Sequence, residues 1–463
     1  MDTHTFSRHE TLLIFTVALL VFLLPSIMRF IIYDNPAIVG FPTHFHERIA
    51  EDIINGDFDF YDELSFGGRV YTYPPGFVFS LAFFSLFLGT KMGGVIFLGL
   101  VGSLSVVFLY MIAKELCPEI KKNRLIATVF IVFTPGMIYL FSHLSTRSPP
   151  IMLGLLAMLI ILKYTKPGKM LYLSAVSLGV SFLFHPETGI IFSFLCFFLL
   201  KRFHAKYFLV AGVIACLWYV PFFLSHGIPE FNALHEDYRE NRYSLETPSV
   251  ENYIWEAGKD ANYGNLNIIV TVLAVVGLFF SSRYMKYWFI SLFLLSLFAE
   301  RFIIYLIFPA TILAVTGFNR LRKKGMIKYV LMILVVSYSL SIAAWRINDF
   351  ASSWPTKEQY DAFKWLESNT SEQNIILSDW TWGHWISGIA NRKNFMDGYA
   401  EYAPGVNKRM SEMDLFYENC TVPEGYNITY IYMEQWMIEK RNISCIHKFD
   451  AVYNKDGILI FKA

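Results

Sequence analysis

Apolar stretches of near-membrane length recur down the chain, separated by short polar connectors, as far as residue 345. Beyond it, polar and apolar residues mix and alternate over short periods. Eleven stretches read as membrane-spanning helices: 11–32, 93–113, 125–142, 150–162, 171–184, 189–200, 207–224, 265–281, 287–299, 302–317 and 329–345. Several fall short of the roughly 20 residues that an upright span needs, so their helices extend into the flanks. Residues 11–32 carry no small-residue cleavage site and more apolar runs follow, which makes them a first span rather than a signal peptide.

A further run, 74–90 (PPGFVFSLAFFSLFLGT), is also long enough for a short crossing. Charge decides against it. Short connectors rich in Lys and Arg stay cytoplasmic. Residues 114–124, 163–170 and 201–206 are of that kind, as are Arg283 with Lys286 and the segment Arg320 to Lys328. The connectors between them hold only Arg147, no basic residue at 185–188, and Arg301. With the N-terminus inside, this alternation holds only if 74–90 does not cross. The run is therefore expected to be an interfacial or re-entrant helix opened by Pro74 and Pro75, with the C-terminus outside.

After the last span a helix is expected at 357–368, strands at 374–378 and 427–433, and a closing hairpin in AVYNKDGILIFK turned at Asp456-Gly457. The expected fold class is a polytopic α-helical membrane protein of about 11 transmembrane helices with a small C-terminal extracytoplasmic α/β domain. Residues 1–345 would form the membrane domain, with outer loops 33–92 and 225–264, and residues 346–463 the outer domain.

Composition agrees. The chain is 55% hydrophobic and 17% charged, against about 25% charged in soluble domains. A net charge of +1 gives no sign of a nucleic-acid partner. Cys117, Cys196 and Cys216 lie in or near apolar runs; Cys420 and Cys445 lie in the tail and can pair if it is extracellular. Four N-x-S/T sequons begin at Asn369, Asn419, Asn427 and Asn442, all after the last span, which suits an external domain.

The candidate chemistry lies in the outer segments. The first loop carries Asp34, Glu47, Glu51, Asp52, Asp57, Asp59, Asp62 and Glu63, with His44 and His46. Most are solvated acids around an amphipathic helix at 43–54. One or two of them at the membrane face can deprotonate an acceptor or hold Mg2+ or Mn2+ against a pyrophosphate; Asp34, Glu47 and Asp62 are the candidate bases, and His46 with Glu47 the candidate metal ligands. The second loop offers Glu246 and Glu251. Arg147 and Arg301 sit near lipid, where charge is costly and often functional, and a guanidinium matches phosphate oxygens bidentately. His185-Pro186-Glu187 caps the fifth span. In the tail, Trp380, Thr381, Trp382, His384 and Trp385 fall in one short stretch; its indoles either face a sugar or acceptor or fill the domain's own core.

Taken together, these pieces resemble the GT-C membrane glycosyltransferases, and within them the catalytic subunit of oligosaccharyltransferase, including the archaeal single-subunit form. HFHERIAEDIINGDFDFYDELSFGGRVYTYPPG resembles that family's first outer loop, ERFIIYLIFPATILA the helix whose Arg lies near the active site, SVEN the site of the flexible-loop Glu, here Glu251, and SDWTWGHWISGIANRKNFMDG the segment around Trp-Trp-Asp-Tyr-Gly. The resemblance implies a polyprenyl-phosphate-linked sugar donor, a protein or glycolipid acceptor, and residence in a plasma membrane, of archaeal kind. There are departures. Asp379-Trp380-Thr381-Trp382-Gly383 keeps only the second Trp and the Gly, Pro42 stands where the family has a metal-binding Asp, and SHLSTRSPP lacks a second acidic motif. Members that move one sugar from a polyprenyl monophosphate need less metal, which fits these losses. A lipid-linked-sugar flippase and a non-catalytic relative that only binds such lipids are the rival readings.

Overall fold

The computed structural model describes residues 8–40, 42–117, 120, 123–164, 168–200, 204–227, 266–321, 326–400 and 402–463. All eleven apolar runs are helical. The order is α1 (Arg8–Ile31), α2 (Thr43–Asn55), the short strands β1 (Tyr61–Asp62) and β2 (Arg69–Val70), α3 (Gly76–Leu88), α4 (Thr90–Leu116), α5 (Arg124–Val132), α6 (Pro135–Ser142), α7 (Ser148–Lys163), α8 (Lys169–Phe182), α9 (Pro186–Leu199) and α10 (Ala205–His226). Then come α11 (Ile268–Phe280), α12 (Arg283–Ser296), α13 (Ile303–Leu321) and α14 (Met326–Ser352). The run 74–90 forms the 13-residue helix α3.

One expectation needs correcting. The run 125–142 is not one straight helix but α5 and α6, which meet at 53°. Pro135 at the start of α6 has no N–H to continue the α5 ladder, and beside the break the Phe130 carbonyl accepts the Thr134 hydroxyl. By length and composition, five helices among the described residues can cross a bilayer alone, or six with the bent pair as one span. Shorter apolar helices pack among them. Leu12, Leu217, Leu224, Phe279 and Phe298 are exposed on the helix surfaces, an outward apolar coat that only lipid can cover. This is a polytopic α-helical membrane protein.

Packing inside the bundle is close. α11 crosses α13 at Gly277 and Gly317, where an added Cβ would stand 2.0 Å from the Leu313 carbonyl oxygen or 1.9 Å from that of Leu273. Small residues let helix backbones meet in lipid, where no hydrophobic force draws them together.

The tail follows α14 directly: α15 (Lys357–Asn369), β3 (Ile375–Leu377), α16 (Trp380–Gly388), β4 (Lys393–Asn394), α17 (Val406–Asn419), β5 (Ile428–Glu434), α18 (Gln435–Arg441), β6 (Asp450–Lys455) and β7 (Ile458–Lys462). Thr356 and Gln359 close a capping box on α15. The sheet order is β4-β3-β5-β7-β6; β3 runs parallel to β4 and β5, and β7 antiparallel to β5 and β6. The expected helix, both strands and the hairpin turned at Asp456-Gly457 are therefore present. Cys420 and Cys445 form a disulfide.

The segment 33–92 belongs to two cores. Phe45, Ile49 and Tyr71 pack into the helical bundle, whereas Phe66 packs into the tail beside Phe395 and Ile376. Asn394 extends the sheet onto this loop: its N–H donates to the Leu64 carbonyl at 2.8 Å and its side chain accepts from the Phe66 N–H at 2.9 Å. Arg29 fastens the other side. Its guanidinium donates to the carbonyls of Ala37, Ala351, Ser353 and Pro355 and is fully buried.

Candidate active site

Helix α2 carries the first group of side chains. Phe45, Ile49 and Ala50 face the bundle and hold the helix in place. His44 Nε2 donates to the Ile38 carbonyl at 3.0 Å, while its Nδ1 lies 2.5 Å from Glu47 Oε2. The other Glu47 oxygen, Oε1, is buried without a hydrogen-bond partner. His46 projects elsewhere, towards Tyr399 (Nε2 to hydroxyl 3.4 Å) and the Phe77 ring at 5.0 Å. Burial, helped by the charge of His384, pushes His46 down to about 3, so it stays neutral at working pH.

The tail supplies the facing wall. Asp379 caps α16 by accepting from the Thr381 N–H and hydroxyl. Trp382 and Trp385 are buried, against Tyr432 and Phe363 respectively, and the Trp385 indole donates to the Gly40 carbonyl at 3.3 Å. The His384 ring lies tilted against Tyr399, centroids 4.3 Å apart, and 3.8 Å from Asp397. Asp397 accepts from Ser65 at 2.5 Å, Asn394 at 3.1 Å and the Tyr399 N–H at 2.8 Å, and Ser65 in turn accepts from Arg69 at 2.6 Å. Burial would raise the Asp397 carboxyl, but His384, Arg69 and these hydrogen bonds outweigh it and hold the group below the usual range. Asp397 is thus a buried anion that locks loop and tail together.

A second centre forms where helices begin. Arg147 precedes α7, Glu187 lies in the first turn of α9, and Arg301 lies in the turn Glu300–Phe302 before α13. Arg147 and Arg301 both approach Glu187 Oε2, at 4.0 and 3.8 Å. His185 caps α9 through its Nδ1, and Thr188 bonds to the Tyr305 hydroxyl at 2.6 Å, tying α9 to α13. The start of α3 joins the same turn, because the Gly76 N–H donates to the Leu183 carbonyl at 2.8 Å. Two guanidiniums therefore flank one carboxylate at the first turn of α9, a setting that favours an anion. The centres are neighbours: His143 lies 3.5 Å from where a Cβ on Gly40 would stand, and it feels the Arg147 charge.

Comparison with solved structures defines the fold. The Archaeoglobus fulgidus oligosaccharyltransferase tethered with an acceptor peptide containing the NVT sequon matches with a TM-score of 0.61 at 13% identity, over 98% of this chain and 74% of that one. ArnT from Cupriavidus metallidurans bound to undecaprenyl phosphate matches with 0.58 at 11% identity, over 99% and 98%. The arabinofuranosyltransferase AftD from Mycobacteria matches with 0.59 at 12% identity, over all of this chain and 40% of that one. This chain has the GT-C fold. No protein-family model and no curated protein matches the sequence.

On this GT-C scaffold the candidate residues fall into separate places. Arg147 and Arg301 come together; His44 and Glu47 pair; His46 and His384 meet through Tyr399. Asp62 is held by Arg48 at 2.8 Å and accepts the Leu64 N–H. Asp34 is exposed and paired with Lys357. Thr381 is a capping partner, Trp382 is core, and Trp380 lies half-buried beside Gly398. Glu246 and Glu251 lie outside the described residues. For a metal, a structure of the Archaeoglobus enzyme in complex with Zn and sulfate gives a precedent on this fold. His46 and Glu47 do not fit one: adjacent on a helix, they point to different partners, and among the described residues no three His, Cys, Asp or Glu side chains gather where an ion could be held. Asp397, Arg69, Ser65 and Tyr399 did not stand out in the sequence; their one signal is the Asp-Gly-Tyr that follows the Trp-rich stretch.

Proposed function

We propose that this protein is a glycosyltransferase that moves a sugar from a polyprenyl-phosphate-linked donor to an acceptor at the outer membrane face. The observation that carries the reading is the pair Arg147 and Arg301 converging at the mouth of short helices. α7 and α9 have 16 and 14 residues, about 24 and 21 Å, against a hydrocarbon core of about 30 Å. Both arginine side chains remain partly exposed, at 20 and 29%, where a phosphate carried on a lipid tail can reach them. Within the same fold, ArnT has been captured with undecaprenyl phosphate and the archaeal AglB with an inhibitory peptide and a dolichol-phosphate.

In the transfer the acceptor oxygen or nitrogen bonds to the sugar C1. The C1–O bond breaks, its electron pair stays on the phosphate oxygen, and the acceptor proton passes to a carboxylate. Arg147 and Arg301 offset the charge that develops on the leaving phosphate. Glu47 takes the proton-accepting role: His44 holds one of its oxygens and the other has no partner, whereas Asp62 is taken up by Arg48 and the Leu64 N–H and Asp34 is exposed and paired with Lys357. We favour a polyprenyl monophosphate donor over a diphosphate, because among the described residues the first-loop side chains do not converge on one cation. Residues 346–463 form the outer module in this reading, supported by the disulfide and by four exposed sequon asparagines.

The test is transfer of a labelled sugar from polyprenyl phosphate in nanodiscs. Arg147→Ala, Arg301→Ala and Glu47→Gln should each lower the rate by about 100-fold or more. Undiminished transfer in all three ends the proposal. Movement of the lipid across the bilayer without a covalent product would favour the flippase.

A further inference from the structure

We propose that Glu187 is a resident counter-ion whose place the donor phosphate takes, so that binding expels the carboxylate from between Arg147 and Arg301. The inference rests on the reading of those two arginines as the phosphate-binding pair.

Its basis is the way Glu187 sits. Oε2 faces both guanidiniums at 3.8 and 4.0 Å, beyond hydrogen-bond length. It acts there as a charge, not as a bidentate partner. Oε1 is buried and has no hydrogen-bond partner at all. A carboxylate with one buried oxygen unsatisfied carries a desolvation cost that its present position does not recover. A phosphate differs on both counts. Its several oxygens match guanidinium donors at bonding distance, and it arrives beside the first turn of α9, whose N-terminal end favours negative charge.

Local anchoring fits a side chain that swings while its backbone stays. The His185 cap and the Thr188–Tyr305 bond fix the α9 start on either side of Glu187. The carboxylate itself is bound by charge alone. In the unliganded state it keeps two guanidiniums from repelling each other; in the liganded state it competes with the phosphate for them. A group that only ligated substrate or held structure would not compete.

The experiment uses the full-length protein in nanodiscs with undecaprenyl phosphate as the probe, in wild type, Glu187→Gln, Arg147→Ala and Arg301→Ala. Both the equilibrium binding constant and the ligand-induced rise in thermal midpoint are read. Glu187→Gln keeps the shape and removes the charge. It should bind the probe about tenfold tighter than wild type, because like charges at roughly 4 Å repel strongly near a protein surface. Without the probe it should melt lower than wild type, and the probe should raise its midpoint more. The arginine variants should bind weakly. Equal or weaker binding by Glu187→Gln, with the arginine variants still impaired, overturns the displacement and leaves the phosphate reading standing. Wild-type binding by the arginine variants overturns both.

Discussion

Gly388 of α16 rests with its backbone on the backbone of His44 in α2; a Cβ there would lie 2.5 Å from the His44 carbonyl carbon and 2.8 Å from its Cβ. At this contact between tail and first loop, a side chain on residue 388 has no room. A Gly388→Val substitution should wedge the two apart, cost about 1–3 kcal/mol of stability, and abolish transfer by displacing the His44–Glu47 pair. Thermal melting and the transfer assay check this. Gly212→Ala, at a glycine with no neighbouring atom within 4 Å, should leave both unchanged.

The crossing of α11 and α13 gives a second prediction. Gly277→Leu must push its own helix away from the Leu313 carbonyl, which is backbone and cannot yield. We expect a sharp loss of folded protein in detergent extracts, read by size-exclusion chromatography. Replacing Gly212 by Leu should not reproduce it.

Cys420 and Cys445, 25 residues apart, tie the end of α17 to the segment before β6. Replacing both by serine should destabilise the tail by about 2–4 kcal/mol and make it the first part cleaved by protease. Mass spectrometry of the intact tail, with and without reductant, reports whether the bond exists in the native membrane.

Acid should loosen the joint between loop and tail. His46 is neutral when folded, with its value lowered from 6.5 to about 3. The unfolded chain therefore binds the extra proton between those values, and the stability that neutral His46 contributes is complete above about pH 6.5 and lost as pH falls towards 3. The slope is at most about 1.4 kcal/mol per pH unit. Asp397, depressed, adds a further loss below the ordinary carboxylate range. Thermal midpoints measured from about pH 7 to pH 4 should fall in wild type and fall less in His46→Gln.

Much of this architecture was legible from residue spacing. The apolar runs and the Asp456-Gly457 turn depend on near neighbours, and near neighbours are what a sequence displays. The break in 125–142 was signalled by Pro135, but the apolar residues on both sides hid it. The Trp-rich stretch misleads for a different reason. Whether Trp382 faces a ligand or a core is decided by Tyr432, which arrives on a strand far along the chain. The convergence of Arg147, Glu187 and Arg301 is of the same kind: three connectors, each unremarkable alone, brought to one level by the packing of α7, α9 and α13. No spacing rule announces such a meeting.

The buried guanidinium of Arg29 bears on biogenesis. It lies on α1, yet the carbonyls of Ala351, Ser353 and Pro355 that satisfy it come 322, 324 and 326 residues later in the chain. Until then a cation in or near lipid lacks most of its acceptors. α1 therefore stays unmoored while the intervening helices are made, and this latch closes only once the residues that follow α14 have emerged.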